Sequence, residues 1–298
     1  MTSIFTGADA ILDAVTIRQV TNSSHATNQQ HFKGMNSGGA VVQTVSAKSI
    51  GEVTTLTSAD IAGMLGIGTS TFCSVGLYVA SGTVTVPYSK RSDGALFASG
   101  SAHPALTGAK ALIIPTSFEV SNDADFATGS FEIHWLSADG LTKGCDDATG
   151  AALGSQSFNG AYTLGPVYIN GTVITGVQSF RVTPGIEVIK PPLGSGSIAP
   201  IRASIKQVMP TIQITVNDFD AIAGTVGDAT AMTSANLYFK KRADSGIFAS
   251  GTNHCRVTFA AGLADTDTVS VSNNDDGSAT ITLHGKTLTA ATGVALPS

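Results

Sequence analysis

The chain has 298 residues, a net charge of −5 and a pI near 5.6. Charged residues make up only 12% and hydrophobic ones 42%, which excludes a disordered chain and leaves apolar mass for one large domain or two ordinary ones. The basic runs Lys90-Arg91 and Lys240-Lys241-Arg242 are too short to wrap nucleic acid tightly, and no apolar run is long enough to span a bilayer as a helix.

With 33 glycines among abundant Thr, Ser, Ala and Val, the composition suits many short strands joined by tight turns. Met1 to Val20 contains Asp9 and Asp13 and lacks a basic start before an apolar run, so no signal peptide is expected and synthesis in a cytoplasm is. Ser24 to Gly39 is polar and reads as a long loop or hairpin tip, with His31, Phe32 and Lys33 as candidates for contact between subunits. Val53-Thr54-Thr55-Leu56-Thr57 alternates as a half-buried strand does, and Ser58-Ala59-Asp60 offers an N-cap to a short helix over Ile61–Leu65. Val84-Thr85-Val86 and Ser130 to Trp135 alternate as strands too, with Trp135 expected in a core or an interface.

The segment Lys90 to His103 recurs as Lys241 to His254, with eight of 14 positions identical at an offset of 151. The same offset persists through Asp125 and Asp276, giving 15 identities in 36 positions. Leu56-Thr57 and Asp60 match Ile214-Thr215 and Asp218 at 158, and Val15 and Val20-Thr21 are aligned with Val177 and Val182-Thr183 at 162. The expected organisation is therefore mainly β, with two tandem homologous β-sandwich or barrel domains, each carrying one short α-helix. The first spans 1–143, the second 165–298, and 144–164 is a linker because it lacks apolar periodicity.

In the second domain, Lys190 to Ser197 is the counterpart of the polar loop, and Lys190 and Leu193 join the contact candidates. Ile212, Ile214 and Val216 alternate with polar residues, and Asn217-Asp218 precedes a second helix over Phe219–Ala223. Val269-Ser270-Val271 and Thr280 to Leu283 are strands joined by a turn at Asn274–Ser278. Exposed sheet edges invite pairing with another chain, and a protein built from such modules is suited to self-association.

The repeat also carries candidate chemistry. Arg91 with Asp93, and Arg242 with Asp244, read either as pairs within a turn or as salt bridges across a subunit boundary. Ser99, His103 and Asp93, repeated as Ser250, His254 and Asp244, are better read as a fold-defining turn than as a nucleophile set, with Phe97 and Phe248 as core anchors and Gly100 and Gly251 as turn residues. Asn122 to Asp125 and Asn273 to Asp276 lack a full calcium loop. Cys73, Cys145 and Cys255 fit neither a zinc pattern nor a disulfide framework and read as buried thiols. Hydrolase, phosphate-loop, metalloprotease and dinucleotide motifs are absent, so no enzyme activity and no cofactor are expected.

The chain resembles the tail tube proteins of long-tailed bacteriophages. The resemblance rests on Thr175-Gly176-Val177-Gln178-Ser179-Phe180-Arg181-Val182-Thr183-Pro184-Gly185-Ile186-Glu187, and on Ser204 to Thr215 leading into a short helix. It implies a virion protein of the tail whose sandwiches join an inner barrel around a channel. Chains with two such domains form trimeric rings of pseudo-sixfold symmetry that stack into a tube. The partners so implied are other copies, other tail proteins, a tape-measure protein, and DNA that passes without specific binding, with no membrane. A major capsid protein with two sandwich domains and a receptor- or glycan-binding virion module are the alternatives.

Overall fold

The computed structural model describes residues 4–13, 15–35, 42–67, 72–91, 103–151, 153, 160–191, 193–194, 196–218, 230–243, 248–272 and 275–297. The protein is mainly β, with large antiparallel sheets and two short helices among the described residues. The first half contains β1 (Ile4–Gly7), β2 (Ala10–Leu12), β3 (Val15–Ile17), β4 (Val20–Ala26), β5 (Gln30–Met35), β6 (Val42–Ser49), β7 (Val53–Ser58), α1 (Ile61–Leu65), α2 (Phe72–Val75), β8 (Leu77–Val79), β9 (Val84–Arg91), β10 (His103–Gly108), β11 (Ala111–Ser121), β12 (Thr128–Trp135) and β13 (Asp146–Ala151). The second contains β14 (Tyr162–Ile169), β15 (Thr172–Ile174), β16 (Val177–Thr183), β17 (Ile186–Ile189), β18 (Ser204–Val208), β19 (Thr211–Val216), β20 (Thr230–Lys241), β21 (His254–Ser272) and β22 (Asp275–Val294).

In the first half, one sheet runs β13-β10-β9-β2-β3 with β1 also on β9, and β4, β7, β12 and β11 lie side by side in another. In the second half the corresponding strands run on from one layer to the other, because β21 and β22 are unbroken over 19 and 20 residues. The first half breaks at the same places, between β10 and β11 and between β12 and β13. Apolar residues of both halves share one core, including Leu12, Leu56, Phe131, Trp135, Phe180, Phe239, Phe259 and Ile281. That burial is the main stabilising term for a β-rich chain of this size.

Strand registers recur between the halves. Gly7 pairs with Tyr88 as Leu164 pairs with Phe239, and Leu12 pairs with Val84 as Ile169 pairs with Ala235, giving offsets of 157 and 151. Val53 pairs with His134 as Thr211 pairs with His284, at 158 and 150. A register irregularity at Val20/Asn22 in β4 is matched at Val177/Ser179 in β16. The left-handed residues Asp13 (φ 60) and Gln19 (φ 52) fall on Asn170 (φ 51) and Gly176 (φ 68). These positions replace the offset of 162 expected for the N-terminal strands with 157. The difference of five is odd, so the earlier alignment would turn every strand onto its wrong face.

Helix α1 begins where the sequence places it. Asp60 Oδ1 accepts the Gly63 N–H at 2.9 Å, and Oδ2 accepts the Arg18 N–H at 3.0 Å. Helix α2 was not foreseen, and its Ser74 hydroxyl donates to the Leu288 carbonyl of the other half. The helix expected over Phe219–Ala223 lies outside the described residues.

The described ends of the stretch expected as a linker, 144–151 and 160–164, are built into the fold. Residues 146–151 form β13 against β10, and Tyr162 begins β14 against β20. The cause is remote in sequence: the buried Glu52 carboxylate accepts the N–H groups of Gly144 and Cys145 at 2.7 and 3.0 Å, fixing the chain as it enters β13. The expected turn at Asn274–Ser278 is shorter too, because β22 begins at Asp275, which pairs with Ser272.

Candidate assembly surface

The two halves are joined edge to edge. Strand β11 pairs with β16 through Phe118↔Val182, Glu119↔Arg181, Val120↔Phe180 and Ser121↔Ser179. Phe118, Val120, Phe180 and Val182 enter the core, where Phe180 meets Phe239 edge to face at 5.1 Å. Glu119 and Arg181 face outward, with Arg181 Nε 3.9 Å from Glu119 Oε2. An exposed pair at that distance contributes little stability, so the backbone ladder and the apolar side of the junction hold it.

A second contact crosses the same boundary. The hairpin β17–β18 and the connection between its two strands fold over the first half. Ala203, with Ile186 and Val188, packs on Leu112, Ile114 and Leu136. Backbone bonds fix the connection: Ile198 N–H donates to Gly140 O at 2.8 Å, and Ser137 N–H to Pro200 O at 2.8 Å. Lys190 follows β17 and is half-buried; desolvation pulls its pKa down, opposed by the nearby carboxylates Glu132 and Glu52. Lys190, expected at a subunit boundary, lies near Glu132 and Glu52 of the first half of its own chain.

Each side of this boundary has a counterpart that pairs with no further strand among the described residues. The β16 edge corresponds to β4, which ends the sheet path and, among the described residues, pairs only with β7. The β11 edge corresponds to the end of β21, where Val269 to Ser272 lie beyond Ala264, the last residue paired with β20 among the described residues. Leu112, 3% exposed beneath the hairpin, corresponds to Leu263, which is 49% exposed. Ala203, 9% exposed, corresponds to Val45 on the hairpin β5–β6, which is 60% exposed. His31, Phe32 and Lys33 lie on that hairpin, so the expected loop is a two-stranded arm.

The outer face of the joined sheet is polar with few charges. Residues Thr55, Thr57, Thr128, Ser130, Ser179, Thr183, Gln213 and Thr280 lie on it, and Thr57 Oγ1 meets Ser130 Oγ at 2.9 Å. Alternation in each strand produces this face, with apolar residues turned inward and hydroxyls outward.

Among the remaining candidates, the two histidines have structural partners. His103 and His254 are buried, and each Nδ1 accepts a backbone N–H, from Lys90 and Lys241 respectively, at 3.0 Å. That pair of bonds explains why both histidines lie in the repeated segment, and it engages the nitrogen that a carboxylate would orient in a catalytic triad. Asp93, Asp244, Phe97, Ser99 and Gly100 lie outside the described residues. Arg91 is exposed at the end of β9. Arg242 donates its N–H to Ala161 O at 2.8 Å, and its guanidinium lies 5.9 Å from the Phe248 ring. Phe248 itself is 42% exposed and capped by Lys240 Nζ at 3.5 Å, so it is a platform for cations and not the expected core anchor. Gly251, at φ +71, is a turn residue as expected. Leu193 is half-buried in the connection after β17.

His25, Glu52 and Cys145 bring donor atoms within 4.8 Å of one another. Their partners lie within the protein: Glu52 holds the two N–H groups above, and His25 Nδ1 is 2.9 Å from Thr54 Oγ1, which accepts Trp135 Nε1–H at 2.8 Å. The cluster thus pins β4, β7 and the entry to β13. Cys73, Cys145 and Cys255 are free buried thiols, and burial pushes Cys73 and Cys255 up to about 12. All three should resist an aromatic disulfide reagent at pH 8 and react at once in denaturant; rapid titration of the native protein would contradict the burial.

No protein-family model matches the chain, and no curated protein sequence does. Glu119, Arg181, Val45 and Leu263 were not singled out from the sequence. Leu112 and Leu263 did offer a signal, as an identical apolar pair within the repeat.

Proposed function

We propose that the chain is a self-assembling structural protein of a virion tail, and that its halves are diverged copies of one tube domain filling neighbouring positions in a ring. The observation that carries this reading is the β11–β16 junction, each edge of which recurs without a strand partner among the described residues at another place in the same sheet. Adding a chain repeats the junction: β4 of one chain continues the ladder at Val269–Ser272 of the next. Such a contact is head-to-tail, so it propagates into a closed ring or an open helix and does not stop at a twofold dimer.

Strands β4, β7, β12, β11, β16, β19, β22 and β21 form eight consecutive strands per chain. The resemblance to tail tube proteins implies three chains per ring. At about 4.8 Å per strand and a tilt of about 40°, their sheets would close a barrel on the order of 50 Å across, wide enough for duplex DNA. The hydroxyl-rich face would line the channel. With few cations there, phosphates find little to neutralise, and DNA slides through without adhering. Other tail proteins and a tape-measure protein are the further partners; catalysis has no part in this role.

Sedimentation and negative-stain microscopy of purified protein test the proposal. Rings or hollow filaments are expected. Shells or flat lattices would favour a capsid role, and a monomer at all concentrations would overturn self-assembly.

A further inference from the structure

We infer that the β5–β6 arm of each chain lies across β21 of the next chain, with Val45 seated on Leu263. The inference rests on the assembly reading above and adds a second contact, with its own residues, to the strand edge.

The chain already makes this contact once. Its β17–β18 arm covers Leu112, Ile114 and Leu136, placing Ala203 in a small separate core. The same elements recur in the other pairing: β5–β6 leaves the sheet between β4 and β7, as β17–β18 leaves it between β16 and β19. Val45 stands at the position of Ala203, and Leu263 at that of Leu112. Both are exposed, where their counterparts are buried.

Leu263 of the same chain lies far along the sheet from the arm. Strand β4 and strand β21 are seven steps apart along the sheet path, roughly 34 Å at about 4.8 Å per strand. A second chain added at β4 brings its β21 alongside, in the position that β11 holds beside β16. The arm then covers Leu263 of that chain as β17–β18 covers Leu112.

The surroundings are more polar than in the intrachain contact. Lys286 replaces Leu136 on the receiving strands, while His31 replaces Val188 on the arm. A patch with one apolar centre and a polar rim stays soluble before assembly and is the usual build of a contact between separately folded chains.

The test is cross-linking in the full-length protein. Val45→Cys/Leu263→Cys is treated with a short bismaleimide after assembly, beside the strand-edge control Ser24→Cys/Ser270→Cys and each single variant. The double variant should give a ladder of covalently joined chains in denaturing gels, and the singles should not. Particles joined by the control pair but not by Val45→Cys/Leu263→Cys would overturn the arm placement and leave the assembly reading standing. Cross-linking without a gain in mass would place the arm on its own chain and overturn the inference. Failure of both pairs in a monomeric protein would sink both readings. As a second measurement, Val45→Asp/Leu263→Asp should raise the concentration needed for assembly at least tenfold with an unchanged melting temperature; unchanged assembly would contradict the contact.

Discussion

Ser24→Asp combined with Ser270→Asp should abolish assembly while leaving the monomer folded. Ser24 stands in β4 where Arg181 stands in β16, and Ser270 stands in β21 where Glu119 stands in β11. Repeating the internal junction between chains therefore sets Ser24 opposite Ser270. Two aspartates there face each other across a newly formed ladder, and like charges directly opposite cost up to about 1 kcal/mol at each junction. A closed ring needs every junction at once, so the loss multiplies around it. Ser24→Arg with Ser270→Glu recreates the internal Glu119–Arg181 pairing and should lower the assembly threshold below that of the unmodified protein. Light scattering against concentration reads both results. Equal thresholds for the two double variants would mean that these residues do not meet.

The second large effect concerns packing. A Cβ on Gly108 would lie 2.7 Å from the Gly144 carbonyl oxygen and 2.8 Å from the Trp135 ring, and one on Gly285 would lie 2.2 Å from the Phe259 ring. Phe259 occupies the position of Gly108, and Gly285 that of Trp135. One space in each half is thus filled by one aromatic side chain, supplied from opposite strands. Trp135→Gly should cost about 4 kcal/mol through the cavity it leaves. Gly108→Phe alone should cost about 3 kcal/mol, because it crowds the Trp135 ring. Combined, they reproduce the arrangement of the second half and should recover about 2 kcal/mol relative to the sum of the single effects. Chemical denaturation of the four proteins gives the coupling. Simple additivity would mean that the two halves do not share this packing.

The repeat was legible where side chains hold particular bonds. His103 and His254 each accept the backbone N–H of the residue 13 positions earlier, which ties together the two ends of the repeated segment. The N-terminal strands were misaligned by five residues, because a strand demands only alternation, and Val, Ile and Thr satisfy it interchangeably. Positive φ at Asp13 and Asn170, which marks the shared turn, leaves only a faint trace in sequence. The linker was misread because its anchor, Glu52, lies 92 residues from Gly144.

The assembly surface was less legible still. A sheet edge is recognised through backbone groups, which every residue carries. Leu112 and Leu263 are the same residue at the same offset, and only the fold shows that one is covered and the other open. Phe248 looked like core by type, yet flanking cations hold its ring at the surface.

A high-resolution cryo-electron reconstruction of the assembled particle is the most direct measurement. It should show β4 of each chain hydrogen-bonded to β21 of its neighbour, with His25 opposite Val269 and Asn22 opposite Ser272. A particle in which β4 faces solvent, or pairs with any other strand, would contradict the account.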